Sequence, residues 1–200
     1  MKGSLIIVGF FILGIIAGMT GLLHIDDFGF DVSFTALAML MFCVGIGVGS
    51  DFSALKSLRT QSGVMLLLPL ITIIGTLAGC SAISLLFPDR SVSDMLAVGS
   101  GFGYYSLSSI FITEYRGAEL GTIALLANIC REIITLLGAP LIYRWFGPLA
   151  PISSGGATSM DTTLPIITNV SGKEFVVLSI YHGFVVDFSV PFLVTFFCSF

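Results

Sequence analysis

Long apolar runs constrain this chain more than any other feature of its sequence. Several runs are about 18 to 25 residues long, which is the length that an α-helix needs to cross a hydrocarbon layer of about 30 Å. Apolar residues make up 56% of the 200 positions and charged residues only 10%, against about 25% in an ordinary soluble domain. Lipid offers no hydrogen bonds to the backbone, so such runs fold as helices. The sequence therefore predicts an all-α, polytopic transmembrane helix bundle.

The runs divide the chain into two predicted regions. Residues 1–90 are expected to form three scaffold-like spans, near 4–23, 33–50 and 63–87. Residues 91–200 are expected to form a transport core, with a broken helix at 95–113, a charged span at 120–145, a re-entrant or short span at 151–168 and a final span at 175–199. Whether 151–168 crosses the membrane decides the topology. The distribution of lysine and arginine is compatible with either arrangement, and seven crossings are preferred.

Composition and motifs exclude several classes of function. No basic cluster is present that would hold nucleic acid. The four cysteines lie in apolar segments without a CxxC pair, so neither a zinc site nor a disulfide framework is predicted. No Walker loop or nucleotide fingerprint occurs, so no cofactor is expected and an ATP-driven pump would need another subunit. Ser159, Asp161 and His182 are residue types found in hydrolases, but no nucleophile elbow surrounds them, and we predict no enzyme.

The first polar stretch, Gly99–Ser109, places glycines at alternating positions inside an apolar segment. Glycine in a helix costs about 1 kcal/mol relative to alanine, and membranes tolerate a non-helical turn only where protein buries it or water reaches it. Broken helices present carbonyl groups and helix ends to substrates in secondary transporters. The alternative is that the glycines allow two helices to pack closely. We predict a broken helix whose cavity is lined by Gly101, Gly103, Tyr104 and Ser106.

The second stretch, Asn128–Thr135, carries charge in the middle of an apolar run. A charged side chain at the bilayer centre costs about 2.5 to 3.5 kcal/mol on insertion scales, so neither Arg131 nor Glu132 is expected to face lipid. At helical spacing Asn128 and Glu132 share one face, whereas Arg131 lies on an adjoining face with Thr135. The structural alternative is an ion pair with a residue on another helix. The stretch is otherwise a candidate binding face.

The third stretch, Ser153–Pro165, has the small and hydroxyl residues of a re-entrant or unwound element. Asp161 precedes two threonines there, and Pro165 biases Leu164 away from the helical conformation. Ammonium groups and hard cations prefer oxygen ligands, so this carboxylate is a candidate cation site. An ordinary polar surface loop would have a similar sequence.

The final span contains His182 and Asp187, five residues apart. A buried carboxylate next to an imidazole would be able to relay protons. The alternatives are a His182 that reaches the membrane interface and an Asp187 that pairs with Arg131. These alternatives are slightly favoured over a relay.

Taken together, the stretches resemble the lysine exporter family, which exports L-lysine from bacterial cells. The resemblance rests on blocks that occur in the family's order and close to its spacing, namely GSGFGYYSLSSIFITEYRGAELG, NICREII, GGATSMDTTLP, and YHGF followed by VPFL. It covers residues 95–199 best and the spans from residue 1 more loosely. Asp187 departs from the family pattern, in which that position is apolar, and this departure argues against a proton relay there.

The resemblance implies a fold and a site. The family is grouped with the bile-acid and arsenite type carriers, whose discontinuous helices cross near the midplane, and this implies a bundle with broken helices. Glu132 and Asp161 match intramembrane acids of the family that are expected to bind substrate and protons. Further residues in the matching blocks are Glu114, Asn128, Arg131, Thr158, Ser159 and His182.

The resemblance also implies partners. Full-length members of the family carry an additional N-terminal membrane portion. We therefore expect a small, separately encoded membrane subunit that supplies this portion, with a homo-oligomer as the alternative.

The expected function is export of L-lysine and close cationic analogues by a multi-pass protein of the bacterial inner membrane. The ammonium groups of lysine are expected at Glu132 and Asp161, and its carboxylate at the helix ends of the first and third stretches, with Arg131 as a further contact. Inward protons that act at the same two acids are expected to drive export. The alternatives are a related carrier for another organic cation or anion, and a non-transporting scaffold subunit.

Overall fold

The computed structural model describes residues 65–200 together with a few isolated positions closer to the N-terminus. The chain divides into two compact units, Met1–Cys43 and Val44–Phe200, and every element named below belongs to the second. Apart from those isolated positions, the predicted spans 4–23 and 33–50 lie outside the described residues.

All elements of the described part are helical, as the apolar runs predicted, and no strand occurs among these residues. The α-helices of this part are α1 (Leu68–Ser84), α2 (Val92–Gly99), α3 (Tyr105–Arg116), α4 (Ala118–Phe146), α5 (Ala150–Gly155), α6 (Leu164–Ser171) and α7 (Val176–Cys198). Short 3-10 helices cover Met65–Leu67, Gly156–Met160 and Lys173–Phe175.

Two of the described helices are long and apolar enough to cross a membrane. α4 has 29 residues, and the helical segment Lys173–Cys198, which contains α7, has 26. At about 1.5 Å per residue, each exceeds a hydrocarbon thickness of about 30 Å. Leu137 of α4 and Phe192 of α7 are 79% and 62% exposed, as is expected of surfaces that contact lipid. α1, with 17 residues, is a shorter apolar helix.

Glycines with positive φ angles set the ends of α3 and α4. Gly117, with a φ of 91°, is the residue between the two helices, and Gly147, with a φ of 84°, follows α4. This backbone conformation is strained for a residue with a Cβ but not for glycine. α3 and α4 therefore pack along each other with a single residue between them.

Two pairs of consecutive α-helices in the described part are separated by short segments that are not α-helical, which we call breaks. The first break, residues 100–104, separates α2 from α3 and lies inside the glycine-rich stretch that predicted it. The second break, residues 156–163, separates α5 from α6 and begins with a 3-10 helix. α5 and α6 have 6 and 8 residues, so at about 1.5 Å per residue neither crosses a hydrocarbon layer by itself.

The two breaks contact each other through their backbones. The Ala157 N–H donates a hydrogen bond to the Phe102 carbonyl oxygen (2.9 Å). A Cβ at Gly103 would lie 3.2 Å from the Gly155 carbonyl oxygen, and a Cβ at Gly156 would collide with the Phe102 carbonyl oxygen. Phe102 itself has a φ of 46°, a left-handed conformation that is unusual for a bulky residue. The close approach of the breaks therefore requires glycine on both sides.

α7 packs directly on the second break. A Cβ at Gly183 would lie 2.7 Å from the Met160 Cβ and 2.8 Å from the Met160 backbone nitrogen. α7 is also joined to α1, α5 and α6 by an apolar cluster of buried side chains, formed by Leu68, Ile152, Ile167 and Leu178. The second break is thus supported by a long helix as well as by the first break.

Replacing Gly156 with alanine tests the contact between the breaks. A Cβ there would meet the Phe102 carbonyl oxygen, and the φ of 61° is strained for alanine. We expect Gly156→Ala to lower the free energy of unfolding by about 2 kcal/mol or more, seen as a lower midpoint of thermal unfolding in detergent. Gly75→Ala is the matched control because Gly75 lies in α1 with no described atom within 4 Å. Equal midpoints for the two variants would contradict the contact.

Candidate functional site

Asn128 of α4 holds the first break in its shape. The side chain is 3% exposed, and its Oδ1 accepts a hydrogen bond from the Gly103 N–H (2.8 Å). Its Nδ2 lies within hydrogen-bond distance of the carbonyl oxygens of Val98 (3.3 Å) and Ala124 (2.9 Å) and of the Ser108 hydroxyl (3.4 Å). The amide thereby gives the Gly103 N–H of the interrupted segment an acceptor.

Arg131, on the adjoining face of α4, binds the last turn of α5, directly before the second break. Its Nε and Nη2 donate to the carbonyl oxygens of Ser154 and Ser153, both at 2.9 Å, and its Nη1 lies 3.4 Å from Thr76 Oγ1. The guanidinium also lies over the Phe102 ring, 5.8 Å from the ring centroid. The two carbonyl groups belong to the last turn of α5, where the partial negative charge of a helix end favours a cation.

The described ion pairs lie elsewhere in the structure. Arg90 pairs with Glu119, and Arg116 lies 3.5 Å from Asp94. Within residues 65–200, no acid lies within ion-pair distance of Arg131. The alternative prediction for Arg131 was an ion pair with a residue on another helix. In the described part, backbone carbonyl groups bind the guanidinium instead.

Glu132 is buried without a hydrogen-bond partner for one of its oxygens. The side chain is 4% exposed, and Oε1 has no partner among the described residues. Glu132 shares the buried face of α4 with Asn128, one helical turn away. A buried carboxylate oxygen that lacks a partner is costly, so this position favours a bound cation.

Asp161 follows the 3-10 helix of the second break. Its side chain is exposed, and Oδ1 accepts hydrogen bonds from the backbone N–H and from the hydroxyl group (3.2 Å) of Thr162. Asp161 thus belongs to the second break, whereas Glu132 lies on α4.

His182 of α7 belongs to a chain of hydrogen bonds with hydroxyl groups. It is fully buried, with Nε2 2.9 Å from Thr72 Oγ1 and Nδ1 3.0 Å from Ser159 Oγ. Thr72 continues to the Ser153 hydroxyl (2.8 Å), and the hydroxyls of Ser159 and Ser179 each donate to the other residue's carbonyl oxygen (3.0 and 2.7 Å). Both imidazole nitrogens are paired, and the network ties α1, the second break and α7 together.

The other predicted site residues differ in how deeply they are buried. Glu114 is exposed on α3, whereas Thr158 is 7% exposed and donates to a carbonyl oxygen of the preceding turn (2.9 Å). Gly101 packs against the Asn128 side chain, and Ser106 is half-buried in the first turn of α3. In the described part of the chain, no group of three or more His, Cys, Asp or Glu side chains is placed to hold a metal ion.

Some residues that shape this site were not singled out by their sequence. Phe102 supplies the carbonyl group between the breaks and the ring under Arg131. Its place between two glycines was a signal for a strained turn. Thr72 and Ser179 complete the network around His182. They are small polar residues in apolar helices, and nothing in the sequence distinguishes them from packing residues.

Comparison with known protein families gives the identity of the chain. The sequence profile of the family described as "Lysine exporter LysO" matches residues 8–198. The chain belongs to the lysine exporter LysO family. It is therefore related to membrane transport proteins and not to enzymes. The match begins at residue 8, so it also includes the N-terminal region, to which the predicted resemblance extended only loosely.

Two curated relatives carry this name or a similar one. "Lysine exporter LysO" of Escherichia coli is 32% identical over 196 residues, which are 98% of this chain and 64% of that protein. "Putative lysine exporter" of Haemophilus influenzae is 35% identical over 164 residues, which are 82% of this chain and 83% of that protein. The chain therefore spans less than two thirds of the length of the Escherichia coli protein. No solved structure matches the chain.

Asn128→Ala tests whether this side chain clamps the first break. The change leaves the buried Gly103 N–H without its acceptor, so we expect it to lower the free energy of unfolding by about 1 to 3 kcal/mol. Asn169→Ala is the matched control because Asn169 is exposed on α6, where a substitution changes stability by about 0.5 kcal/mol or less. Thermal unfolding in detergent compares the two variants. The clamp is disproved if Asn128→Ala unfolds at the same temperature as its control.

Proposed function

We propose that this protein is a secondary transporter that exports L-lysine and close cationic analogues. Membership of the lysine exporter family supports the substrate, and the names of both relatives refer to lysine export. The observation that carries the proposal is Glu132, a buried carboxylate with a partnerless oxygen, one helical turn from the Asn128 that binds the first break. A cation carrier needs such a group at its binding site, whereas a scaffold subunit has no use for one.

In the proposed complex, one ammonium group of lysine binds Glu132 and the other binds at Asp161. An ammonium group has three N–H donors, and its hydrogen bonds to a carboxylate are shorter and stronger than those between neutral groups. The free Oε1 of Glu132 offers such a bond without first breaking one inside the protein. Substrate binding would also neutralise the buried charge, which favours cations over neutral analogues.

The carboxylate of lysine is proposed to bind at the N-terminus of α3. This helix begins at Tyr105, directly after the first break, and no side chain caps it. The first N–H groups of a helix lack partners within the helix and carry partial positive charge, so they favour an anion. Arg131, which the sequence suggested as a further contact, is assigned a positioning role because it donates to the carbonyl groups of Ser153 and Ser154.

These contacts favour a cation carrier over the alternative of an organic-anion carrier. The guanidinium of Arg131 is engaged by two carbonyl oxygens, and Phe102 lies against it. By contrast, Glu132 has an unpaired oxygen, and the Asp161 side chain is exposed. The side chains beside the breaks thus offer unpaired negative charge, which attracts a cationic substrate.

Proton antiport is the proposed source of energy. Moving a cation out of a cell with a negative interior works against about 2.3 kcal/mol per charge for every 100 mV. Inward-moving protons would compete with lysine for the carboxylates of Glu132 and Asp161. Since a protonated carboxyl group no longer attracts an ammonium group, proton binding from outside would release lysine there.

The proposed setting is a polytopic bundle in the bacterial inner membrane. α4 and α7 are the described helices long enough to span it, and the contacting breaks would lie between the spans, as in carriers with discontinuous helices. Residues 1–90 would serve as the scaffold, and residues 91–200 would form the transport core. The proposed partner is a small membrane subunit, with a second copy of the chain as the alternative.

Export of labelled lysine, measured in cells that lack their own exporter, tests the function. Glu132→Gln keeps the size of the side chain and removes its charge, so we expect the initial export rate to fall at least about tenfold. Asp89→Asn makes the same chemical change at an exposed position between α1 and α2 and should export at the wild-type rate. Wild-type export by Glu132→Gln, at equal amounts of protein in the membrane, would rule out the proposed role of this carboxylate.

The same assay tests the partner. The chain is expressed alone and then together with a small membrane protein encoded beside it. Export that requires the neighbour supports a two-subunit exporter, whereas export by the chain alone removes the need for one. If neither combination exports lysine while both proteins reach the membrane, the alternatives of another substrate or of a non-transporting scaffold subunit are favoured.

A further inference from the structure

The two helices on either side of the first break meet at their far ends. Arg116, in the last turn of α3, has its Nη1 3.5 Å from Oδ1 of Asp94, in the first turn of α2. If the chain kept one direction through the break, these residues would lie about 30 Å or more apart, at about 1.5 Å per residue. Arg90, just before α2, also pairs with Glu119 in the first turn of α4. α2 and α3 are therefore the arms of a first hairpin, Val92–Arg116, with the break at its tip.

α7 ends at the base of the first hairpin. The Arg116 Nε donates a hydrogen bond to the Cys198 carbonyl oxygen (3.1 Å). Because Gly117 alone separates Arg116 from α4, the start of α4 and the end of α7 lie together. α4 and α7 are the described helices long enough to cross a membrane, so the end of α4 and the start of α7 would lie at its other face.

The second break is the tip of a second hairpin, Ala150–Ser171. This segment follows the end of α4 and leads to the start of α7, so it returns to the face from which it came. Its arms touch near the tip, because a Cβ at Gly155 of α5 would lie 3.4 Å from the Ile167 Cδ1 of α6. Ile152 of α5 and Leu178 near the start of α7 belong to one buried cluster. The base of the second hairpin thus lies beside the start of α7.

The two hairpins meet near the middle of α4. The hydrogen bond from the Ala157 N–H to the Phe102 carbonyl oxygen joins their tips, and α4 binds the first hairpin through Asn128 and the second through Arg131. α3 and α6 have 12 and 8 residues, which are about 18 and 12 Å of helix, so neither arm passes through a hydrocarbon layer of about 30 Å. The hairpins therefore approach each other from opposite ends of the bundle.

Arg116 holds the base of the first hairpin. Its side chain and that of Asp94 are 26% and 17% exposed, so water and salt screen this ion pair less than a pair on an open surface. Through Asp94 and the Cys198 carbonyl oxygen, Arg116 of α3 links α2 and α7 at one point. At the other end of the hairpin, Tyr104 in the break and Ser106 in the first turn of α3 are half-buried.

We propose that the two hairpins enter the membrane from opposite faces and act as two gates, each of which closes the path between the central site and its own face. Arg116 is the latch of the first gate, because it ties both arms to α7. Irregular backbone at membrane depth has to be buried in protein or reached by water, and a gate meets the first condition when closed and the second when open. The inference concerns the path to the site, so it does not depend on which substrate is carried.

Cysteine labelling of the full chain in cells tests the two faces. The four native cysteines are first replaced with alanine. Single cysteines are then introduced at exposed positions beside the hairpins, namely Asp89, Ala118, Arg144 and Lys173. A membrane-impermeant maleimide labels the outer face in intact cells and the inner face only after the cells are opened. We expect Asp89→Cys and Ala118→Cys to be labelled from one face, and Arg144→Cys and Lys173→Cys from the other.

Helices that crossed the membrane through the breaks would give a different pattern. Asp89→Cys and Ala118→Cys would then be labelled from opposite faces, and so would Arg144→Cys and Lys173→Cys. A division of either pair between the two faces overturns the proposal, and so does labelling of all four positions from one face.

Opening of the first gate is measured at Ser106→Cys in the same cysteine-free background. Arg116→Gln removes the ion pair and shortens the side chain that reaches α7. We therefore expect the maleimide, applied from the face of Asp89, to react about threefold faster or more with Ser106→Cys. Arg144→Gln is the matched control, because Arg144 is exposed at the opposite end of α4. Equal rates in Arg116→Gln and its control would overturn the latch.

Asp94→Asn covers the case in which Arg116→Gln does not accumulate in the membrane. It removes the ion pair and keeps the hydrogen bond from Arg116 to α7, so we expect a smaller increase in labelling rate, of about twofold. An unchanged rate in Asp94→Asn would overturn a latch built on this ion pair. Lysine takes no part in these measurements. A protein that is labelled as expected but exports no lysine would overturn the proposed function and leave the two gates in place.

Discussion

The hydrogen bond from the Ala157 N–H to the Phe102 carbonyl oxygen is the interaction on which the rest of the described structure depends. Each partner belongs to a helix break, where backbone groups lose their helical partners, and neither water nor lipid replaces them in a buried place. The bond therefore fixes the two breaks against each other. Asn128 then pairs the Gly103 N–H of the first break, and Arg131 pairs carbonyl groups in the last turn of α5, directly before the second break.

Arg131 and Glu132 are neighbours in sequence but differ in their surroundings. The guanidinium is engaged by carbonyl oxygens at the end of α5, so its positive charge is used inside the protein. The Glu132 carboxylate lies on the buried face of α4 and keeps an oxygen without a partner. One helix thus carries a charge that holds the end of α5 and another that is available to a ligand.

Much of this arrangement could be predicted from the sequence, and the reasons are local. Apolar runs predicted helices, the glycines around Phe102 predicted a break, and helical spacing predicted that Asn128 and Glu132 share a buried face. The partners of Arg131 could not be predicted, because backbone carbonyls of a distant segment leave no mark in sequence. The pairing of His182 with Thr72 could not be predicted either, because the two residues are far apart in the sequence and Thr72 looks like any small polar residue of an apolar helix. The roles of these residues in transport stay predictions.

The central claim is that lysine binds to Glu132 through an ammonium group. Solid-state NMR in lipid bilayers can measure the distance between the nitrogens of bound ¹⁵N-lysine and the ¹³C-labelled carboxyl carbon of glutamate, with Glu132→Gln identifying the signal. The account predicts one nitrogen within about 4 Å of the Glu132 carboxyl carbon, as in a charge-assisted hydrogen bond. Bound lysine with both nitrogens more than about 6 Å from that carbon would contradict it.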